Sequence, residues 1–197
     1  MKNNLKVGVT GGICSGKSQI MAYLKQKGYP VFSCDEINAT LLEDAEYIKK
    51  VQAICPDCVV NDKIDKKALA SIIFSSEEKR KLIEGIAHPL ILERLFLTMS
   101  SQAKVSFAEV PLLFEGNLVQ KFDKILVVMR KRDTRLQAAI LRDGSSEVEA
   151  RLKMKSQFPY EKAFEEGFFE DSKYVLIFND GPIENAFAQV DDFLSNL

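Results

Sequence analysis

Eight consecutive residues near the amino terminus are of the types that bind phosphate. Gly11-Gly12-Ile13-Cys14-Ser15-Gly16-Lys17-Ser18 fits G-x-x-x-x-G-K-[ST] at every fixed position. An apolar, β-branched run from Leu5 to Thr10 precedes it. Apolar Ile20, Met21 and Leu24 follow at helical spacing, so the segment reads as a turn from a buried strand into a helix. Glycines permit backbone conformations that a side chain would block. The amides of such a loop turn inward on phosphate oxygens beside the positive helix end. Expected nucleotide contacts are Gly12, Ile13, Cys14, Ser15, Gly16, Lys17, Ser18 and Gln19. Lys17 would neutralise the β- and γ-phosphates, and the Ser18 hydroxyl would ligate Mg²⁺. No G-x-G-x-x-G segment occurs, and no N-K-x-D or T-K-x-D segment, so an adenine nucleotide is the better fit.

Three acids stand where they could act with that loop. Asp35 lies just past the second expected strand, and parallel strands place such an end beside the phosphate loop. Its carboxylate could take a proton from a substrate hydroxyl or orient it; equally, it could cap the following helix. Glu109 ends the apolar strand Val105-Ser106-Phe107-Ala108-Glu109 and could be the acidic partner of Mg²⁺, through water, or a solvated strand end. Glu115, after Pro111-Leu112-Leu113-Phe114, is either a site residue or a cap.

The elements that must position these groups alternate. Strands are expected over Leu5 to Thr10, Tyr29 to Ser33, Lys104 to Glu109, Lys124 to Met129 and Tyr174 to Phe178, with helices between. That order gives an α/β fold with a mostly parallel sheet covered on both faces. Asp65 is a suitable helix cap. A helix should run from near Ser76 toward Met99, with a break or kink near His88 because Pro89 removes a helix hydrogen bond. Asp133 should cap a helix reaching Leu141, and a turn at Asp143-Gly144-Ser145-Ser146 leads into another ending near Gln157. The blocks 36–99 and 132–170 exceed simple crossovers and read as insertions over the strand ends.

The chain has 197 residues, enough for one domain. Its 27 Lys and Arg against 28 Asp and Glu give a net charge of −1, which argues against a nucleic-acid coat protein. No apolar run approaches the ~18–20 residues of a membrane span. No signal peptide is evident, so a cytoplasmic protein is expected. In that reducing compartment the four cysteines do not suggest a disulfide framework. Cys55-Pro56-Asp57-Cys58 is formally C-x-x-C, but zinc needs about four ligands, and the spacing reads as accidental.

Several of these segments together resemble the dephospho-CoA kinases, which phosphorylate the ribose 3′-hydroxyl of dephospho-CoA in the last step of coenzyme A synthesis. The resemblance covers nearly the whole chain. It is carried by Val9-Thr10-Gly11-Gly12-Ile13 leading into the loop, Asp35, His88-Pro89, Pro111 to Glu115, Arg142-Asp143-Gly144, Arg151 with Gln157, and Asn179-Asp180-Gly181. It implies a P-loop kinase of three α/β/α layers with a parallel five-stranded sheet, a helical substrate-binding insertion and a lid. Within one such domain the core would be 1–35, 104–134 and 172–197, the insertion about 36–103 and the lid about 135–171. It also implies ATP as donor; the Mg²⁺ that goes with it would be held by Ser18 and Glu109, as read from the loop and the strand end above. Asp35 would be the catalytic base or orienting acid, and Lys17 and Arg142 would stabilise charge on the transferring group. Arg135 and Asn179 would lie at the nucleotide, and Asp35, His88, Leu113, Glu115 and Arg151 at dephospho-CoA. No nucleic-acid or membrane partner is expected, and the protein would be a monomer or weak homo-oligomer.

The chain departs from the family pattern at several places. Cys14 stands where the loop usually has glycine, Gln19 where threonine is usual, and Ser33-Cys34-Asp35 replaces Asp-Ala-Asp. Lys173-Tyr174 replaces Ala-Asp. In the lid helix the family's glutamine, arginine and second arginine are here Arg135, Ala138 and Arg142. Arg135 and Ala138 share a helix face, and Arg135 is expected to stand in for the missing arginine. The alternatives are another small-molecule or nucleotide P-loop kinase, and a nucleotide-binding protein without acceptor-dependent turnover.

Overall fold

A computed structural model describes residues 4–102 and 104–197. Residues 1–3, read above for a targeting signal, and residue 103, the expected end of the insertion, lie outside them. The elements in chain order are β1 (Leu5–Thr10), α1 (Lys17–Gln26), β2 (Val31–Ser33), α2 (Cys34–Leu41), α3 (Ala45–Ile54), β3 (Val59–Val60), β4 (Lys63–Ile64), α4 (Lys66–Ser75), α5 (Glu77–Ser100), β5 (Val105–Glu109), β6 (Lys124–Met129), α6 (Arg132–Asp143), α7 (Glu147–Lys155), α8 (Tyr160–Glu165), β7 (Tyr174–Phe178) and α9 (Ile183–Ser195). They form two compact units, Met1–Val31 with Gln102–Leu197, and Phe32–Ser101.

The main sheet has five strands in the order β2-β5-β1-β6-β7. β1 pairs in parallel with β5 (Leu5 opposite Val105) and with β6 (Val7 opposite Lys124), and β6 with β7 (Ile125 opposite Tyr174). The chain fills one side of β1 and then crosses to the other, so the strand order reverses at β1. Ligands in open α/β sheets bind beyond the strand ends at such a point. Val7, Val9, Phe107, Leu126 and Val128 meet Ile20 and Leu24 of α1 and Val190 and Phe193 of α9. Tyr23 stacks on Phe187 at 4.1 Å between the two helices. Continuous apolar strands of this kind suit a sheet covered on its faces.

The second unit is four helices and the short antiparallel hairpin β3-β4. Its core joins Leu41, Tyr47, Val51, Leu69, Ile83, Ala87 and Ile91. The side chains of Asp44, Asp65 and Ser76 accept from first-turn amides and start α3, α4 and α5.

Three expectations are corrected. Helix α5 is not broken at His88 but runs unbroken from Glu77 to Ser100 with Pro89 inside it. Its buried residues Ile83, Ala87, Ile91, Leu95 and Met99 continue one stripe past the proline, which itself is exposed. That burial outweighs a cost of about 3 kcal/mol for an interior proline. Asp133 does not cap α6. The helix starts one residue earlier, and the Lys131 amide before it donates to Asp180 Oδ1 at 2.6 Å. The C-x-x-C spacing is not accidental: a 3₁₀ turn, Pro56–Cys58, brings the Cα atoms of Cys55 and Cys58 to 5.4 Å, and their sulfurs are bonded. Among the described residues no helix is long and apolar enough to cross a membrane.

Candidate active site

The phosphate loop leaves β1 at the reversal of strand order and enters α1. Gly16, which precedes that helix, has φ 104°. A Cβ there would also strike the Asn179 side-chain amide, so only glycine fits. The first amides of α1 have no intrahelical acceptor, and with the positive helix end they form a ready anion site. Lys17 is buried. Its Nζ donates to the carbonyls of Gly11 at 2.7 Å and Gly12 at 3.0 Å. Burial lowers its pKa below the ordinary lysine value; Glu109 and Cys14 oppose the shift, and Arg135 and Arg142 add to it. Ser15 is buried, and its Oγ has no hydrogen-bond partner among the described residues.

Much of the bracing of this loop comes from distant parts of the chain. Asn179, buried just past β7, donates Nδ2 to the Ser15 carbonyl at 2.8 Å. The Ile13 amide donates to Gln157 Oε1 at 2.7 Å. The Tyr160 hydroxyl bonds Thr10 Oγ1 at 3.0 Å. Burial pushes the Tyr160 pKa up to about 12, against the effect of the hydrogen bond shared with Thr10, so the phenol keeps its proton. Arg135 is buried against Gly12. It pairs with Glu161 and donates Nε to the Arg130 carbonyl at 3.0 Å. Residues 157–161 therefore form a strap across the amino-terminal half of the loop. Glu115 holds the strap as well, accepting from the Phe158 amide at 2.7 Å.

The Ser18 hydroxyl donates to Glu109 Oε1 at 3.4 Å, so the two expected metal ligands stand together. Among the described residues no group of three or more His, Cys, Asp or Glu is arranged for a metal. A hydroxyl and a carboxylate nonetheless suit Mg²⁺, which takes most of its ligands from phosphate oxygens and water. The Gln19 side chain is exposed, with Oε1 beside Gly16. Arg142, near the end of α6, is exposed and donates to Asp143 at 2.7 Å; Lys153 reaches the same carboxylate at 3.0 Å. These two cations hold the Asp143 pKa down to about 2. Arg151 is an exposed residue of α7, paired with Glu147 one turn away.

Leu113 is fully buried, with Cδ1 2.9 Å from where a Cβ on Gly8 would stand; its neighbour Leu112 is exposed. In the second unit the amide of Asp35 donates to Ser33 Oγ at 3.2 Å, and Ser33 caps α2. The Asp35 carboxylate, exposed in the first turn, is thus not the cap. Serine has taken over the capping place where the family pattern has an acid. His88 is exposed on α5, which packs on α2.

Sequence reasoning gave no role to Thr10, Arg130, Gln157, Tyr160 or Glu161. Thr10 and Gln157 were visible only as part of the family pattern. The others carry no spacing signal, because Thr10 and Tyr160 lie 150 residues apart and Ile13 and Gln157 144 apart.

The dephospho-CoA kinase family model matches residues 5–176. Dephospho-CoA kinase of Oceanobacillus iheyensis is 35% identical over 96% of this chain and 96% of its own length, and that of Shouchella clausii 33% identical over 97% and 98%. A solved structure from Thermus thermophilus covers 100% of the chain at 29% identity with a TM-score of 0.80. A dephospho-CoA kinase from Campylobacter jejuni shares the fold over 98% of the chain with a TM-score of 0.68 at 22% identity. With a parallel sheet, a braced phosphate loop and a family match over most of its length, this chain belongs to the dephospho-CoA kinase family.

Proposed function

We propose that this protein transfers the γ-phosphoryl group of ATP to the ribose 3′-hydroxyl of dephospho-CoA, giving coenzyme A and ADP. The observation that carries this reading is the braced phosphate loop with its buried Lys17 ammonium, in a chain of this family. Of the loop amides, those of Ile13, Ser15 and Gln19 are bonded within the protein; the others, with the start of α1, take the phosphates, and Asn179 lies beside them. Lys17 and Arg142 offset charge that builds on the transferring group, the main requirement of this chemistry. Ser18 and Glu109 would hold Mg²⁺, which when bound neutralises phosphate charge. Asp35 accepts the proton of the 3′-hydroxyl as that oxygen bonds phosphorus and the β–γ bridging oxygen departs with ADP. We assign Asp35, His88, Glu115 and Arg151 to the acceptor; Leu113, expected there as well, is fully buried against Gly8 and serves packing instead.

We place the lid over about residues 135–171, resting here with residues 157–161 tied to the loop and with Ala150 and Met154 in the cluster that includes Ile13 and Cys14. Its closure carries Arg142 from Asp143 to the phosphates and excludes water. We read the protein as a cytoplasmic monomer or weak homo-oligomer that needs no nucleic acid or membrane.

The test is ADP release from Mg-ATP with dephospho-CoA, adenosine, AMP, or no acceptor. Turnover with dephospho-CoA alone, reduced by about 10²–10⁴-fold in Asp35→Asn, is expected. Turnover on another acceptor would replace the substrate assignment. ATP binding with no turnover on any acceptor would make this a nucleotide-binding protein.

A further inference from the structure

Position 14 poses a problem that the chain must solve locally. Cys14 has φ 57°, in the left-handed region where a Cβ is strained. The next peptide, Cys14 to Ser15, is planar, so its orientation fixes both the ψ of Cys14 and the φ of Ser15. That peptide is held at both poles. The Ser15 amide donates to the Gly12 carbonyl at 3.2 Å. The Cys14 carbonyl accepts from Arg130 Nη1 at 3.3 Å. Arg130 follows β6 directly, and its own carbonyl is fixed by Arg135 Nε. Its Nε is buried with no hydrogen-bond partner among the described residues. The guanidinium is therefore committed to this spot at the expense of one of its own donors. The Cys14 side chain, in turn, packs on the small apolar cluster of Leu136, Ala139 and Ala150.

We propose that Arg130 is a positioning residue of the phosphate loop, holding the Cys14 carbonyl so that cysteine keeps the conformation glycine would adopt freely. This inference rests on the nucleotide-binding reading of the loop. It makes Arg130 and Cys14 an interdependent pair: the arginine matters because the residue at 14 has a side chain.

A double-mutant cycle tests this. Mg-ADP binding is measured by titration calorimetry for the wild type, Arg130→Met, Cys14→Gly and the double variant. Arg130→Met should weaken binding about five- to tenfold in the cysteine chain and less than about twofold beside Cys14→Gly. Arg130→Lys, which keeps a donor, should fall between, and it carries the cycle if Arg130→Met does not fold. Equal losses in both backgrounds would overturn the proposal, because Arg130 would then act independently of the residue at 14. No loss in either would also overturn it, by showing the bond idle. A wild type that binds no Mg-ADP would remove the nucleotide reading itself, and this inference with it.

Discussion

The side-chain carbonyl of Gln157 accepts a hydrogen bond from the Ile13 amide at 2.7 Å, across 144 residues of chain. One amide of the phosphate loop is thus spent on the protein, and the loop's shape depends on a residue outside it. Gln157→Met keeps the bulk and removes the acceptor. A net hydrogen bond of ~1 kcal/mol predicts about a three- to tenfold rise in KM for ATP, with kcat changed less. Steady-state kinetics at saturating dephospho-CoA would check this; an unchanged KM would make the contact incidental.

Lys17 gives a pH signature. Burial disfavours its charged form, so its folded pKa lies below the ordinary 10.5. The ammonium that phosphate needs is therefore lost earlier on raising pH than for a free lysine. The profile of kcat/KM for ATP, which reports the free enzyme, should fall on its alkaline side with a midpoint under 10.5. Lys17→Arg should abolish that limb, because a guanidinium does not titrate there. The linked stability effect has the same origin. Burying the ammonium costs stability below the folded pKa, and the cost fades as pH rises toward the unfolded value.

Asp143 titrates in the opposite sense. Held by Arg142 and Lys153, its pKa is about 2 against 3.8. Its stabilising contribution is present above pH 3.8 and is lost as pH falls through about 2. Carboxyl carbon NMR should place its midpoint near 2 and move it upward in Arg142→Ala. An unmoved midpoint would show that Arg142 does not rest on this carboxylate in solution.

The Arg135–Glu161 pair should be structural in its energetics. Arg135 is 6% exposed and Glu161 41%, so solvent reaches one partner only. Glu161→Ala leaves a buried guanidinium half-satisfied, at a cost of about 1–3 kcal/mol, below that of breaking a fully buried pair. Urea unfolding would measure it. Arg135→Ala should lower stability and also kcat/KM for ATP, because its guanidinium underlies Gly12. Loss of stability with kcat/KM unchanged would end the idea that Arg135 serves in place of the arginine missing at Ala138.

Gly8 sits in β1, where a Cβ would stand 2.9 Å from Leu113 Cδ1 and 3.2 Å from the Phe122 ring. Gly8→Ala should cost about 1–3 kcal/mol through overpacking, read as a lowered thermal midpoint. An unaltered midpoint would mean that this face of the sheet is less tightly filled than it looks.

Much of this molecule was legible before its structure. The five β-branched runs became the five strands, because a sheet buried on its faces selects such runs. Asp65 and Ser76 announced their helices, since capping is a local interaction. Pro89 misled for a matching reason: its local signal was strong, but the buried stripe from Ile83 to Met99 passes behind it. Asp35 was ambiguous because a carboxylate just past a strand can serve a substrate or cap the next helix, and only the bond from its own amide to Ser33 excludes the cap. The strap could not be read at all. Nothing in Tyr160 or Glu161 points to Thr10 or Arg135 until the fold brings them together.

The bond from Asn179 to Ser15 spans 164 residues. During synthesis on a ribosome, the glycine-rich turn emerges long before Gln157, Tyr160 and Asn179. Until β7 joins the sheet, the turn lacks the groups that shape it. A nascent chain cut before residue 157 should therefore have no affinity for nucleotide, even with its whole signature motif exposed.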